Sequence, residues 1–207
     1  MVGKLRAAVF GGTFDPPHLG HVRLASEVLE RGRADKVIFV PAAIPPHKPG
    51  VPITPFHHRL AMLELALEGF ERKIVSDLEF RRLPEPSYTI VTMRELARLH
   101  PDFELELLIG GDSLRNLHTW RDAVALATDF AVISYPRRGE APRPGELAAL
   151  WPPALAAKLE GSLMEAPTFE VSSTALRGAL RSGGDVRGLL APKVMEYIAS
   201  NALYRQV

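Results

Sequence analysis

The 207-residue chain contains no cysteine, which excludes disulfides and thiolate metal sites. No apolar run approaches the ~20 residues that a membrane-spanning helix needs. Met1-Val-Gly-Lys-Leu-Arg leads directly into an apolar run and shows no signal-peptide core, so the expected location is cytoplasmic. Charge of one sign is also missing. The net charge is +1, from 25 basic against 24 acidic residues, which gives no reason to expect nucleic acid or an anionic membrane as partner. Any anion site must arise from local placement. A G-x-x-x-x-G-K-[ST] run is absent as well, which removes the P-loop from consideration. Lysine is scarce, 6 against 19 arginines, and prolines number 18, a bias that a GC-rich genome and a hot habitat both produce.

What is present is an ordinary globular composition, 46% apolar and 24% charged, in a chain long enough to bury a sizeable core as one domain. Strand-like runs recur at Ala7–Phe10, Lys36–Pro41, Lys73–Leu78, Glu104–Ile109 and Phe130–Ser134. Helix-period segments separate the earlier ones. That alternation predicts an α/β fold, a doubly wound parallel sheet with right-handed crossovers. Ligands of such sheets sit at the carboxyl ends of the strands, near a topological switch point.

The stretch Val9-Phe-Gly-Gly-Thr-Phe-Asp-Pro-Pro-His-Leu-Gly-His21 reads as a strand–turn–helix corner. Gly11 and Gly12 let a ligand approach the backbone. The helix that follows offers unpaired N–H groups to phosphate, and His18 and His21 share one face of its first turn. After the second strand, Pro41 to Gly50 holds four prolines in ten residues. This predicts a stiff, extended loop from which His47 and Lys48 project. Lys48 is either a solvated side chain or a point charge over phosphates. Thr54-Pro55 reads as an N-cap and first helical position; the adjacent His57 and His58 point about 100° apart and receive no role.

Ser87 reads as the N-cap of a further helix, whose first turn carries Tyr88 and Thr89. Leu107 to Arg121 is a buried strand entering Gly110-Gly111, with Asp112 opening a short helix and Trp120 eight residues on. Asp112 is either a cap or an acceptor for ribose hydroxyls. Trp120 is either core or a stacking surface for a base. Arg137 and Arg138 fall in a polar loop and read as solvated. Ser172, Ser173 and Thr174 sit at a helix start with Arg177 one turn later. No Glu or Gln follows at capping-box spacing, so the group fits an anion better than a self-capped helix. The tail beyond Gly183 reads as packing only.

Taken together, GGTFDPPHLGH, PPHK, SYT, GGD with its tryptophan, VSSTALR and a GD-V-x-x-L-L-x-P…YI…LY tail resemble the bacterial nicotinate-nucleotide adenylyltransferase family, in the nucleotidyltransferase superfamily with the His-x-Gly-His motif. The resemblance covers nearly the whole chain. It implies a Rossmann-like fold of nucleotidyltransferase type, a single domain over residues 1–207 whose C-terminal helical part, 171–207, carries the phosphate motif. It also implies adenylyl transfer from ATP to nicotinate mononucleotide in NAD biosynthesis, by direct in-line attack without a covalent intermediate. Gly11, Gly12, Thr13, Phe14, His18, His21, Ser172, Ser173, Thr174 and Arg177 then serve ATP, with His18, His21, Lys48 and Arg177 as the catalytic set. Tyr88, Thr89, Asp112, Trp120 and His47 serve the mononucleotide. Mg²⁺ travels with ATP rather than in a protein cage. Val91 departs from the pattern, standing where relatives often carry an acid. The related phosphopantetheine enzymes are shorter, commonly have Thr in place of His18 and lack the Trp120 motif. Nicotinamide mononucleotide, another phosphomonoester, or nucleotide binding without turnover are the alternative readings. Nothing in the pattern bears on oligomeric state.

Overall fold

A computed structural model describes residues 3–46, 52–135, 141–165 and 171–205. Five parallel strands form one sheet in the order β3-β2-β1-β4-β5. They are β1 (Leu5–Gly12), β2 (Lys36–Pro41), β3 (Lys73–Val75), β4 (Phe103–Gly110) and β5 (Ala131–Tyr135). β3 stops at Val75, short of the expected Leu78, because Leu78–Arg81 turns into a four-residue helix, α3.

The helices between strands are α1 (Leu19–Glu30), α2 (Phe56–Ala66), α4 (Thr89–Leu99), α5 (Gly111–Asn116) and α6 (Ala123–Asp129), followed by α7 (Glu146–Leu150), α8 (Pro153–Glu160), α9 (Ser173–Ser182) and α10 (Pro192–Ser200). Trp151 and Pro152 separate α7 from α8, which starts at Pro153.

Successive strand residues face opposite sides, and the core divides accordingly. Ala7, Val9, Ile38, Val40, Leu105 and Leu107 pack under α4, α6 and α8. Ala8, Phe10, Val37, Phe39, Leu108 and Ile133 pack under α1 and the end of α2. Burial on both faces explains why Ala7–Phe10 is an unbroken apolar run rather than an alternating one. A third cluster joins Met62 and Ala66 of α2 to Leu176 of α9 and Val194 and Ile198 of α10. Leu176 is the buried residue of α9, and burying one leucine contributes only ~1.5–3 kcal/mol. The polar contacts at the start of α9 therefore bear on where that helix sits.

The connection from β1 runs through α1 to β2 on one side, and β4 pairs with β1 on the other. The register sets Phe10 beside Leu108, so the strand ends Gly12 and Gly110 finish level. The switch point between β1 and β4 opens at that edge.

Candidate functional site

A cleft of about 270 Å³ lies at this edge. Its floor is the last residues of β1 and β4, Gly11, Gly12 and Leu107 to Ile109, and its walls include Thr13, Pro45, Pro46, Thr89, Ser113 and Trp120. An adjoining outer part is lined by Tyr88, Thr89, Thr119, Trp120 and Arg121, with the Arg121 guanidinium 4.7 Å from the Tyr88 ring centre. Trp120 is half-buried and has one face on the core cluster of α4 and α6. It therefore packs on the core and lines the cleft.

The loop after β2 reaches the cleft through Pro45 and Pro46. Its shape comes from hydrogen bonds as well as proline. Ala42 N–H donates to Gly12 O at 2.8 Å, and Ala43 and Ile44 N–H both donate to Ser87 Oγ at 3.0 and 3.1 Å. Ser87 is thus a clamp on this loop rather than a helix cap: the N-cap of α4 is Tyr88. Likewise Pro55, not Thr54, is the N-cap of α2; Thr54 is spent on Asp15 and Arg59. Glu79, which carries no signal in the sequence, is 6% exposed. It lines the cleft and accepts from Thr92 Oγ1 at 2.7 Å and from Ala43 N–H at 3.3 Å. His47 and Lys48 lie outside the described residues, as do Arg137 and Arg138.

Gly11 and Gly12 differ in what they allow. A Cβ on Gly11 would meet no atom within 4 Å, so its surface is open to a ligand. A Cβ on Gly12 would meet the Phe14 ring at 3.1 Å. Phe14 itself is 2% exposed, takes φ of 49° and packs edge-on against His21, ring centres 5.0 Å apart. Only the backbone of Phe14 can meet a ligand; its side chain seats His21.

His18 and His21 stack with ring centres 3.6 Å apart and 23° between planes. The His18 N–H donates to His21 Nδ1 at 3.1 Å. A nitrogen that accepts carries no proton, so this bond assigns the proton of neutral His21 to Nε2, leaving that nitrogen a donor. Gly20 completes the arrangement: a Cβ there would lie 2.9 Å from His18 Nδ1. The glycine between the histidines is thus explained by the ring it leaves room for. Neither ring lines the cleft; both stand at the start of α1, beyond the Thr13–Pro17 loop.

The start of α9 is tied to the same loop. Arg177 Nη1 donates to Asp15 O at 2.7 Å, Arg177 Nη2 to Thr174 Oγ1 at 3.3 Å, and Ser173 Oγ to Pro16 O at 2.9 Å. Ser172 caps the helix, its Oγ accepting from Ala175 N–H at 3.1 Å. The reading of a helix that is not self-capped is corrected at Ser172. A capping box is missing, but a simple serine cap is present, and its hydroxyl proton is still available to an acceptor.

Asp112 sits in the first turn of α5, whose N-cap is Gly110. Its carboxylate packs over that glycine, where a Cβ would lie 2.4 Å from Asp112 Oδ1. Gly110 is therefore required by Asp112. Below the β1 loop, Arg59 is 2% exposed and donates to Thr54 O and Thr13 O, both at 2.8 Å. Burial draws its pKa down against the opposing pull of Asp15, Tyr204 and Glu79. Sequence reasoning missed Arg59, Asp15 and Tyr204 as contributors to this loop. From the tail, the Tyr204 hydroxyl reaches Asp15 Oδ1.

Among the described residues no helix is long and apolar enough to cross a membrane. The family model described as cytidylyltransferase-like matches residues 9–179. A relative from Symbiobacterium thermophilum named "Probable nicotinate-nucleotide adenylyltransferase" is 44% identical over 203 residues, covering 96% of this chain and 95% of its own. One of the same name from Synechococcus sp. (strain JA-3-3Ab) is 41% identical, covering 96% and 94%. In fold the chain is similar to a Plasmodium falciparum nicotinic acid mononucleotide adenylyltransferase complexed with NaAD, with a TM-score of 0.78, 20% identity and 97% of each chain covered. From the site and these likenesses together, the chain belongs to the nicotinate-nucleotide adenylyltransferase family, within the cytidylyltransferase-like group.

Proposed function

We propose that the two halves of this edge divide the two substrates of an adenylyl transfer. The chain is a nucleotidyltransferase that moves AMP from ATP to nicotinate mononucleotide, forming deamido-NAD and pyrophosphate. The observation that carries this reading is the pairing, across the level ends of β1 and β4, of an imidazole and hydroxyl group cluster with an aromatic cleft. His18, His21, Ser172, Ser173, Thr174 and Arg177 take the phosphates of ATP beside the Gly11–Phe14 backbone; Thr89, Trp120, Tyr88 and Asp112 hold the mononucleotide. Lys48 as a charge for the phosphates and His47 as a contact for the mononucleotide rest on the sequence resemblance alone, since both lie outside the described residues.

The acceptor's phosphate is already an anion at neutral pH, so no general base is needed. It attacks the α-phosphorus in line as pyrophosphate leaves. Catalysis is then positioning and charge stabilisation. His21 Nε2–H, set by its bond to the His18 backbone, is a ready donor to a phosphate oxygen. Thr89 opens the 11-residue helix α4 at the cleft, and the positive dipole end of that helix favours an acid over an amide. This supports nicotinate over nicotinamide. Mg²⁺ would arrive with ATP, held by its phosphate oxygens and water. We place the reaction in the cytoplasm and treat residues 1–207 as one working domain, with 171–207 contributing its phosphate motif.

Incubation with ATP and nicotinate mononucleotide should yield deamido-NAD and pyrophosphate in equal amounts, with inversion at phosphorus when a chiral α-thio analogue replaces ATP. Retention would require a covalent intermediate and contradict the in-line step. Arg177→Lys tests the phosphate half. The lysine keeps the charge but loses the planar fork, so kcat/KM for ATP should fall by at least about tenfold, ~1.4 kcal/mol. Unchanged kinetics with an unchanged melt would remove Arg177 from the site.

A further inference from the structure

We propose that the C-terminal tail belongs to the working site: Tyr204, through Asp15, is a positioning residue for the loop that presents His18 and His21. The inference rests on the assignment of those histidines to the phosphates.

Asp15 is 3% exposed, and three distant parts of the chain converge on it. Tyr204 O–H donates to Oδ1 at 2.5 Å across 189 residues of sequence, Thr54 N–H donates to Oδ2 at 3.3 Å, and Arg177 donates to the carbonyl at 2.7 Å. A buried carboxylate is stable only when its oxygens are satisfied, so Tyr204 and Thr54 fix the side chain while Arg177 holds the main chain. The side chain in turn fixes a loop that leaves Phe14 with a positive φ and enters α1 at His18. The tail is shaped for this reach. Past the end of α10, Ala202 and Tyr204 take φ of 51° and 60°. Bulky residues occupy that region only when their surroundings hold them there. Leu203 N–H donates to Ile198 O at 3.0 Å and closes the turn. Burial, and then the bond to Asp15, push the Tyr204 hydroxyl well above its ordinary pKa, so it remains a donor at every pH at which the enzyme works.

A tail that merely packs and a tail that positions the loop differ in what removing one oxygen does. Tyr204→Phe keeps the ring. If the hydroxyl positions the loop, kcat/KM for ATP falls by about tenfold, the scale on which small misplacements of a reacting group act. The KM for nicotinate mononucleotide stays within about twofold, because Thr89 and Trp120 stand on other elements. Tyr197→Phe is the control. It removes a comparable bond, Tyr197 Oη to His58 Nδ1 at 3.0 Å, between α10 and α2, and should leave both parameters unchanged. Asp15→Leu, which roughly keeps the volume and removes both acceptor oxygens, should show the same loss on the ATP side, and adding Tyr204→Phe to it should cost nothing further. Wild-type kinetics for Tyr204→Phe, both KM values rising together with a fall in melting temperature, or additive effects in the double variant would each overturn the proposal. His18→Ala separates the two layers. If it is fully active, the phosphate assignment fails; if it is impaired while Tyr204→Phe is not, only the role of the tail fails.

Discussion

Replacing His18 by alanine should lower kcat by roughly 10²–10³, about 2.7–4 kcal/mol, the usual cost of one preorganised donor to developing charge. The structure gives two reasons for an effect of this size. His18 is 4% exposed, so its ring is held in place before substrate arrives. It also stacks on His21 at 3.6 Å, so the alanine both removes one imidazole and leaves the other without its neighbour. The binding of a non-hydrolysable ATP analogue should change much less than kcat, because the interaction is strongest in the transition state. Steady-state kinetics with equilibrium binding checks this. An unchanged kcat would return His18 to being a buried helix-start residue.

Trp120→Ala should weaken nicotinate mononucleotide on the order of 1–3 kcal/mol, the scale of aromatic–base stacking, while leaving the KM for ATP in place. The alternative is loss of packing. A wholly buried tryptophan truncated to alanine costs ~3–5 kcal/mol of stability, which would appear as a drop of many degrees in melting temperature. Trp120 is half-buried, with one face on the core and one on the cleft. A partial fall in the melt together with a selective rise in the mononucleotide KM is therefore expected. A large fall with both KM values moving together would assign the ring to the core.

Much of the site was legible because it is local. The β1 corner carries its glycines, histidines and proline turn within thirteen consecutive residues, and each strand of the sheet shows in its apolar run. What was not legible depends on contacts between distant segments. Ser87 looks like a cap by position, yet its oxygen accepts from Ala43 and Ile44 across more than forty residues. Glu79 sits in a short helix, α3, of four residues, too brief for periodicity to reveal, and its burial comes from the loop laid over it. Phe14 reads as a ligand contact within the motif, but the space that Gly12 leaves is filled by its own ring. Ser172 caps α9 alone, without the acidic partner that a capping box would have advertised. Tyr204 gives no sign of its reach, because no periodic pattern links residue 204 to residue 15.

The measurement that tests the central claim most directly is pyrophosphate release from ATP across a panel of acceptors at saturating ATP. Nicotinate mononucleotide, nicotinamide mononucleotide, 4′-phosphopantetheine and no acceptor form the panel. The account predicts no release without an acceptor and the highest kcat/KM for nicotinate mononucleotide, with the amide weaker because the start of α4 at the cleft favours an acid. A higher kcat/KM for phosphopantetheine, or no turnover with any acceptor, would contradict it.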